Sequence, residues 1–204
     1  MSLPQPVETP WSSKSDAEVV KHARTGDSSA RDELARRHRD SAFFLALQLL
    51  GNRDDALDVA QDAMLRFFTH LHRFDASRPV RPWLFQIVRN RVLDLHRRRK
   101  VRKHDSIEAA AEDEERPSLQ LVDARVDLER DARQTQLQKR IWEALSQLSH
   151  QQREILVLRD YQDLSYKEIA DTLNIPIGTV MSRLHGARKS LRQVLEDDLQ
   201  NLLC

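Results

Sequence analysis

Cysteine is nearly absent: the chain has one, Cys204, so no intrachain disulfide and no multi-cysteine metal site is expected, which fits a reducing cytoplasm. Glycine is scarce too, at four residues in 204, and aromatics make up only 5% against 32% charged residues. No stretch alternates apolar and polar residues as a half-buried strand does, so the composition points to an all-α fold. Long apolar runs are missing. The greasiest, Ala42 to Leu50, contains Gln48 and falls far short of the roughly 20 residues that a membrane-spanning helix needs. The N-terminal MSLPQPVETPWSSKS has no apolar centre of signal-peptide length, so no membrane insertion is expected. Zinc-protease, phosphate-loop and nucleophile-elbow motifs are absent as well, and the sequence calls for no catalytic residue, no cofactor and no metal.

Helix punctuation is abundant. Ser15 with Glu18, Ser149 with Gln152, and Ser165 with Glu168 each have capping-box spacing. The chain reads as a tail over 1–14, a short helix ending at Thr25-Gly26-Asp27, and a long helix from about Ser29 to Leu50. Gly51 follows where a helix terminus favours left-handed backbone. A third helix, about Asp54 to Leu71, turns Ala56, Ala60, Ala63, Met64, Phe67, Phe68 and Leu71 inward. Asp55, Asp58, Gln61 and Asp62 lie on its other side. After the irregular segment Phe74–Arg81, Pro82 opens a fourth helix whose apolar side is Trp83, Leu84, Ile87, Val88, Val92 and Leu95.

The net charge of +1 conceals a sharp segregation. Ten Arg and Lys residues fall between Ser77 and His104, against the single acid Asp94. Composition then inverts through Asp105, Glu108, Glu112, Asp113, Glu114 and Glu115, so 104–124 reads as a flexible acidic linker. Helices resume near Val126, with Leu137, Ile141, Trp142, Leu145 and Leu148, then with Ile155, Leu156 and Leu158. The expected organisation is therefore two small helical domains, 15–103 and 125–204, joined by an acidic tether.

The segment LSYKEIADTLNIPIGTVMSRLHGARKSL, residues 164–191, forms a helix-turn-helix pattern. Leu164 and Ile169 occupy staple positions around the Ser165 cap, and Asn174-Ile175-Pro176 ends the first helix. Val180, Leu184, Ala187, Leu191 and Val194 make the inner stripe of the second. Its outer face carries Ser182, His185, Gly186 and Lys189, flanked by Thr179, Met181, Arg183, Arg188 and Arg192, and suits a DNA major groove. The cationic fourth helix suits a polyanion, and Trp83 and Phe85 among its arginines suit stacking on unpaired bases. The plainer alternatives are an αα-corner with a solvated cationic face, a core role for Trp83, and a solvated helix end over His96–Lys103.

Three motifs in this order, DALDVAQDAMLRFF (55–68), RPWLFQIVRNRVLDLHRRRK (81–100) and residues 164–191, resemble a bacterial sigma factor of the compact extracytoplasmic-function (ECF) group. The resemblance covers about 15–101 and 125–198. It implies a transcription initiation factor that binds core RNA polymerase, directs it to bipartite promoter DNA and helps open the duplex. By resemblance, Asp55, Asp58, Gln61 and Asp62 bind polymerase. Arg78, Arg81, Trp83, Arg89, Asn90, Arg91, Arg97 and Arg98 hold the −10 element, and the linker acids enter a cationic channel of polymerase. Thr179, Met181, Ser182, His185 and Lys189 read the −35 duplex, with Arg183 and Arg188 on phosphates or in packing. An anti-sigma partner is implied in the same way. One departure stands out: many family members carry arginine where this chain has Met181 and Gly186, so the family's −35 preference does not transfer.

Three rival readings stand beside this one. His104-Asp105 is the dipeptide of metal-dependent HD phosphohydrolases, with His70 and His72 upstream, yet it lies where ligands cannot be pre-positioned. A stand-alone regulator normally dimerises on half-sites, and no heptad is evident, so no homo-oligomer is expected. A protein-binding adaptor would leave both cationic surfaces without a purpose.

Overall fold

The computed structural model describes residues 9–105 and 140–203, and every regular element among them is helical. The first half contains α1 (Asp16–Arg24), α2 (Ser28–Leu50), α3 (Arg53–His70), a 3₁₀ turn (Leu71–Arg73) and α4 (Val80–Asp105). The second contains α5, described over 140–147, then α6 (His150–Leu156), a π-helical turn (Val157–Tyr161), α7 (Tyr166–Leu173) and α8 (Ile177–Leu203).

Local chemistry sets the boundaries. The three capping boxes form at Ser15, Ser149 and Ser165, each with the serine hydroxyl accepting from the N3 amide and the N3 side chain accepting from the cap amide. Asp27 and Asn52 cap α2 and α3 by accepting from the amides of Ala30 and Asp55. Gly51, at φ 71°, reverses the chain between them in the conformation that side chains resist.

Several expectations shift. Residues 9–14, read as part of a tail, fold back on α2: Trp11 Nε1 donates to Ser29 Oγ at 3.0 Å, and Arg37 donates to the Trp11 carbonyl at 2.6 Å. Helix α4 continues through His104 and Asp105, where the linker was expected to begin, and the remaining linker residues 106–124 lie outside the described residues. The helix start near Val126 and Leu137 lie outside them as well. In α3, Val59 joins the buried set, whereas Met64 and Phe68 are only partly covered.

The α1–α2 junction carries a compact ion network. Buried Glu33 accepts from Arg36 and Arg37, each at 2.7 Å, and Asp16 pairs with Arg37 at 2.8 Å and His38 at 2.7 Å. The His38 hydrogen bond, reinforced by Arg37, holds the Asp16 carboxyl down at about 2. Arg36 leads in lowering Glu33 to about 2 as well.

The two halves are in contact. Their buried apolar residues form one continuous cluster, with α7 against α4, and α6 and the π turn against α2. Buried Arg153 reaches across to the Leu49 carbonyl at 3.4 Å, and Gln162 donates to Gln48 at 3.1 Å. The two helical halves expected from sequence therefore pack against each other.

Candidate nucleic-acid and polymerase interfaces

The recognition helix is aimed by its inner stripe. Asn174, at φ 54°, ends α7 in left-handed backbone, and the Pro176 carbonyl accepts from Thr179 and Val180 at 2.9 and 3.1 Å to start α8. Val180, Leu184 and Ala187 are fully or almost fully buried, which fixes the rotation of α8 about its axis. Met181, Ser182, His185, Arg188 and Lys189 consequently face outward, while Thr179, Arg183 and Gly186 are half-buried. Arg188 is already engaged, donating to Asp160 at 2.7 Å. One outward residue escaped the sequence reading: Ile177, 44% exposed, stands one turn before Met181, 52% exposed. Their i,i+4 spacing is the signal in the sequence that pairs them, although Ile177 directly follows the helix-breaking Pro176.

The loop before α4 is an Asx turn. Asp75 accepts from the Ser77 amide at 2.9 Å and hydroxyl at 2.8 Å, which presents Arg78. Trp83 is half-buried, stacked on Phe74 at 4.8 Å and lying 5.2 Å from Phe67. Phe85 is fully buried under the Arg81 guanidinium, so in this arrangement it is a core residue and no platform for an unpaired base. Phe74 is buried too.

The basic residues of α4 divide by partner. Asn90 and Arg98 are exposed, and Arg97 reaches Asp94 at 3.7 Å while remaining largely open to solvent. Arg91 is mostly covered, pairing with Asp62 of α3 and with Asp94 at 3.0 Å. Three others turn toward the second half. Arg78 pairs with Asp171 at 2.7 Å, Arg81 donates to the Gln162 carbonyl at 2.9 Å, and Arg89 donates to Glu154 at 2.7 Å. A cavity of about 200 Å³ lies there, lined by Arg73, Arg78, Trp83 and Gln86 from one side and Glu168 and Asp171 from the other.

On α3, Asp58 and Gln61 are exposed, whereas Asp55 is held by Arg99 at 2.6 Å and Asp62 by Arg91 and Arg66. Leu57 and Leu65, 45% and 63% exposed, stand one turn to either side of Gln61. This makes an acidic face with apolar points; the sequence pattern marks Asp55, Asp58, Gln61 and Asp62 but not these two leucines.

The junction between the halves holds charge in poor solvent. Glu154 is 3% exposed, and burial pushes its carboxyl up while Arg89 pulls it down. Burial, then proximity to His96, presses His150 down to about 4; the two rings meet edge-on at 5.6 Å. A neutral His150 is compatible with Arg153 and Arg89 nearby. No cluster of three or more His, Cys, Asp or Glu suited to a metal occurs among the described residues, and no described helix is long and apolar enough to cross a membrane.

Sequence comparison accounts for both halves. Sigma-70 region 2 matches residues 34–102, and Sigma-70 region 4 matches residues 138–191, which places the helix-turn-helix within region 4. The chain belongs to the sigma-70 family of RNA polymerase sigma factors. Within it, the chain falls in the ECF group. It is 31% identical over 178 residues to the ECF RNA polymerase sigma factor SigW of Bacillus subtilis, spanning 87% of this chain and 95% of that one. Two solved structures share the fold. The sigma factor RpoE in complex with the anti-sigma factor NepR from Bartonella quintana superposes with a TM-score of 0.66 at 26% identity, covering 81% of this chain and 96% of that one. CnrH in complex with the cytosolic domain of CnrY gives 0.64 at 27% identity, covering 90% and 98%.

Proposed function

We propose that this chain acts as a non-catalytic initiation factor whose α3 docks on core RNA polymerase, whose α4 with its preceding loop holds the opened −10 strand, and whose α8 reads the −35 duplex. The observation that carries the reading is the outward face of α8, cationic and polar above a helix-turn-helix, on a chain whose other half matches region 2. Phosphate contacts from the arginines supply affinity and register, while side chains on base edges supply sequence.

Within this reading the polymerase contacts of α3 centre on exposed Asp58 and Gln61, with Leu57 and Leu65 adding apolar area. Asp55 and Asp62 act partly through the arginines they hold. In the −10 set, Arg91 is a positioning residue for α3 and α4 rather than a phosphate ligand, because its partners are Asp62 and Asp94. In α8, Met181 and Ile177 offer apolar contact suited to thymine methyl groups, and His185 and Lys189 offer donors. The complex of RpoE with the anti-sigma factor NepR supports an anti-sigma partner for this chain as well. Its place of action is the cytoplasm, on the nucleoid.

The test is transcription in vitro with the purified chain and bacterial core polymerase on a pool of genomic fragments, sequencing RNA 5′ ends. Discrete start sites that require the chain are expected, with two aligned upstream elements. Duplex binding by the chain alone, without any chain-dependent start site, would instead identify a stand-alone regulator.

A further inference from the structure

The leading end of α8 is the least polar part of an otherwise polar and cationic face. In a helix-turn-helix the first residues of the second helix are the ones that reach base edges. Here they include Ile177, Gly178, Met181 and Ser182, all exposed. Ile177 and Met181 leave 44% and 52% of their surface open, while their apolar neighbours Val180 and Leu184 are buried. Neither side chain offers a hydrogen bond, and the polar groups around them are committed or set back. Ser182 donates its hydroxyl to the Thr179 carbonyl at 3.1 Å. Arg188, about two turns beyond Met181, is drawn to Asp160 at 2.7 Å. Thr179 and Arg183 are half-buried, and the exposed His185 and Lys189 lie further along the helix. Beside Ile177, a Cβ added at Gly178 would meet nothing within 4 Å, so the bare backbone there lets this end of α8 approach a groove floor closely.

A major groove gives an apolar side chain one base-specific feature to match, the C5-methyl group of thymine. Guanine, adenine and cytosine declare themselves there through hydrogen-bonding groups that neither Ile177 nor Met181 can answer. Four helical residues rise by about 6 Å, and successive base pairs lie about 3.4 Å apart, so the two side chains span about two base-pair steps. We propose that one end of the −35 element is specified by the methyl groups of neighbouring thymines, on either strand, with Ile177 and Met181 as the residues that read them. The proposal rests on the assignment of α8 to the −35 duplex and adds the chemical group that is recognised. Covering one such carbon is worth about fourfold in affinity. A corollary follows from the same chemistry. 5-Methylcytosine carries its methyl at the same place in the major groove, so cytosine methylation at these positions strengthens binding by this chain.

The test uses holoenzyme assembled from the full chain and bacterial core polymerase, on a promoter duplex found by the start-site sequencing above. Thymines of its −35 element are replaced one at a time by deoxyuridine, which removes the methyl and keeps every hydrogen bond of the pair. Binding is measured by competition with the unmodified duplex. The wild-type chain should lose about fourfold at each of two neighbouring positions and nothing at thymines between the two promoter elements. Cytosine at either position should bind worse than thymine, and 5-methylcytosine should recover about fourfold of that loss. Ile177→Ala and Met181→Ala change exposed side chains, and each should bind the thymine and uracil duplexes alike at one of the two positions. A −35 element that lacks neighbouring thymines, or whose thymines tolerate uracil, overturns the methyl readout and leaves α8 as the −35 reader. Full uracil sensitivity in the Ile177→Ala, Met181→Ala double variant does the same. Start sites that share no −35 element overturn the assignment of α8, and the methyl readout with it.

Discussion

Replacing Arg153 by alanine should unfasten the second half of the protein, and the structure sets the size of the loss. The guanidinium is buried and spends its donors on main-chain oxygens: Leu145 at 2.9 Å, Ser146 at 2.8 Å, Leu148 at 3.5 Å and, across the interface, Leu49 at 3.4 Å. Leu145 and Ser146 lie in the last turn of α5 and Leu148 just beyond it, where carbonyls run short of helical partners (that of Leu145 also accepts from the Leu148 amide at 3.2 Å) and a cation meets the negative end of the helix dipole. Burial pulls the Arg153 pKa down, so the charge is held at a desolvation cost that its bonds offset. Two short charge-assisted bonds, at about 1.5 kcal/mol net each, put the loss near 3 kcal/mol. For a chain of this size that corresponds to a drop in Tm of roughly 6–12 °C. Arg153→Lys keeps the charge but not the planar fork, and should lose about half as much. Urea and thermal unfolding followed by circular dichroism give the numbers, and hydrogen exchange should quicken first in α5 and α6. An alanine variant within about 0.5 kcal/mol of wild type would show that water replaces the guanidinium without penalty, and the capping argument would fall.

The first half should lose stability in acid. Asp16 and Glu33 have folded pKa values of about 2, below their ordinary 3.8 and 4.5, so their contribution is complete above about pH 5 and fades as pH falls toward 2. Asp16→Asn should flatten that slope by at most about 2 kcal/mol, read from urea midpoints at pH 7 and pH 3; an unchanged slope refutes it. In α8, a Cβ added at Gly186 meets nothing within 4 Å, so Gly186→Arg should be accommodated, raise helix stability by about 0.5–1 kcal/mol and add a guanine preference in selection from random duplexes. His185→Ala should relax base choice at one −35 position, whereas Lys189→Ala should weaken all sequences evenly and reduce the salt slope by about one unit. Equal losses on every sequence for both variants would remove His185 from the readers. On α3, Asp58→Ala should weaken polymerase binding more than tenfold with the fold intact. Asp55→Ala should also lower the melting temperature, because Arg99 loses its partner.

Local signals in the sequence carried the helices and the orientation of α8. Ser15 with Glu18, Ser149 with Gln152, and Ser165 with Glu168 lie within one turn, so their chemistry is decided by neighbours along the chain. The same is true of the Val180–Leu184–Ala187 stripe, from which the outward faces of Ser182, His185 and Lys189 follow. Pairing between elements was not legible. Arg91 and Arg98 stand in the same basic run, yet the register of α3 on α4 brings Asp62 to Arg91 and leaves Arg98 in solvent. Phe85 looked like an aromatic among arginines because Arg81 covers its ring from one turn away. The junction of the halves was the least legible. Gln48, Gln162 and Glu154 are polar residues that look solvated until the fold buries or pairs them.

The π-helical turn at Val157–Tyr161 works as a phase adjuster. Each helical residue rotates the chain by about 100°, so accommodating one extra residue re-aims everything that follows. Here the turn closes with the Gln162 amide donating to the Val157 carbonyl at 3.0 Å, five residues back. That places the Gln162 carbonyl on Arg81 and its side chain on Gln48. Removing a single residue from the turn would swing Gln162 through roughly a quarter-circle and uncouple it from both. The angular setting of one half on the other is therefore written in the residue count of one helical turn as much as in the identity of the groups that meet.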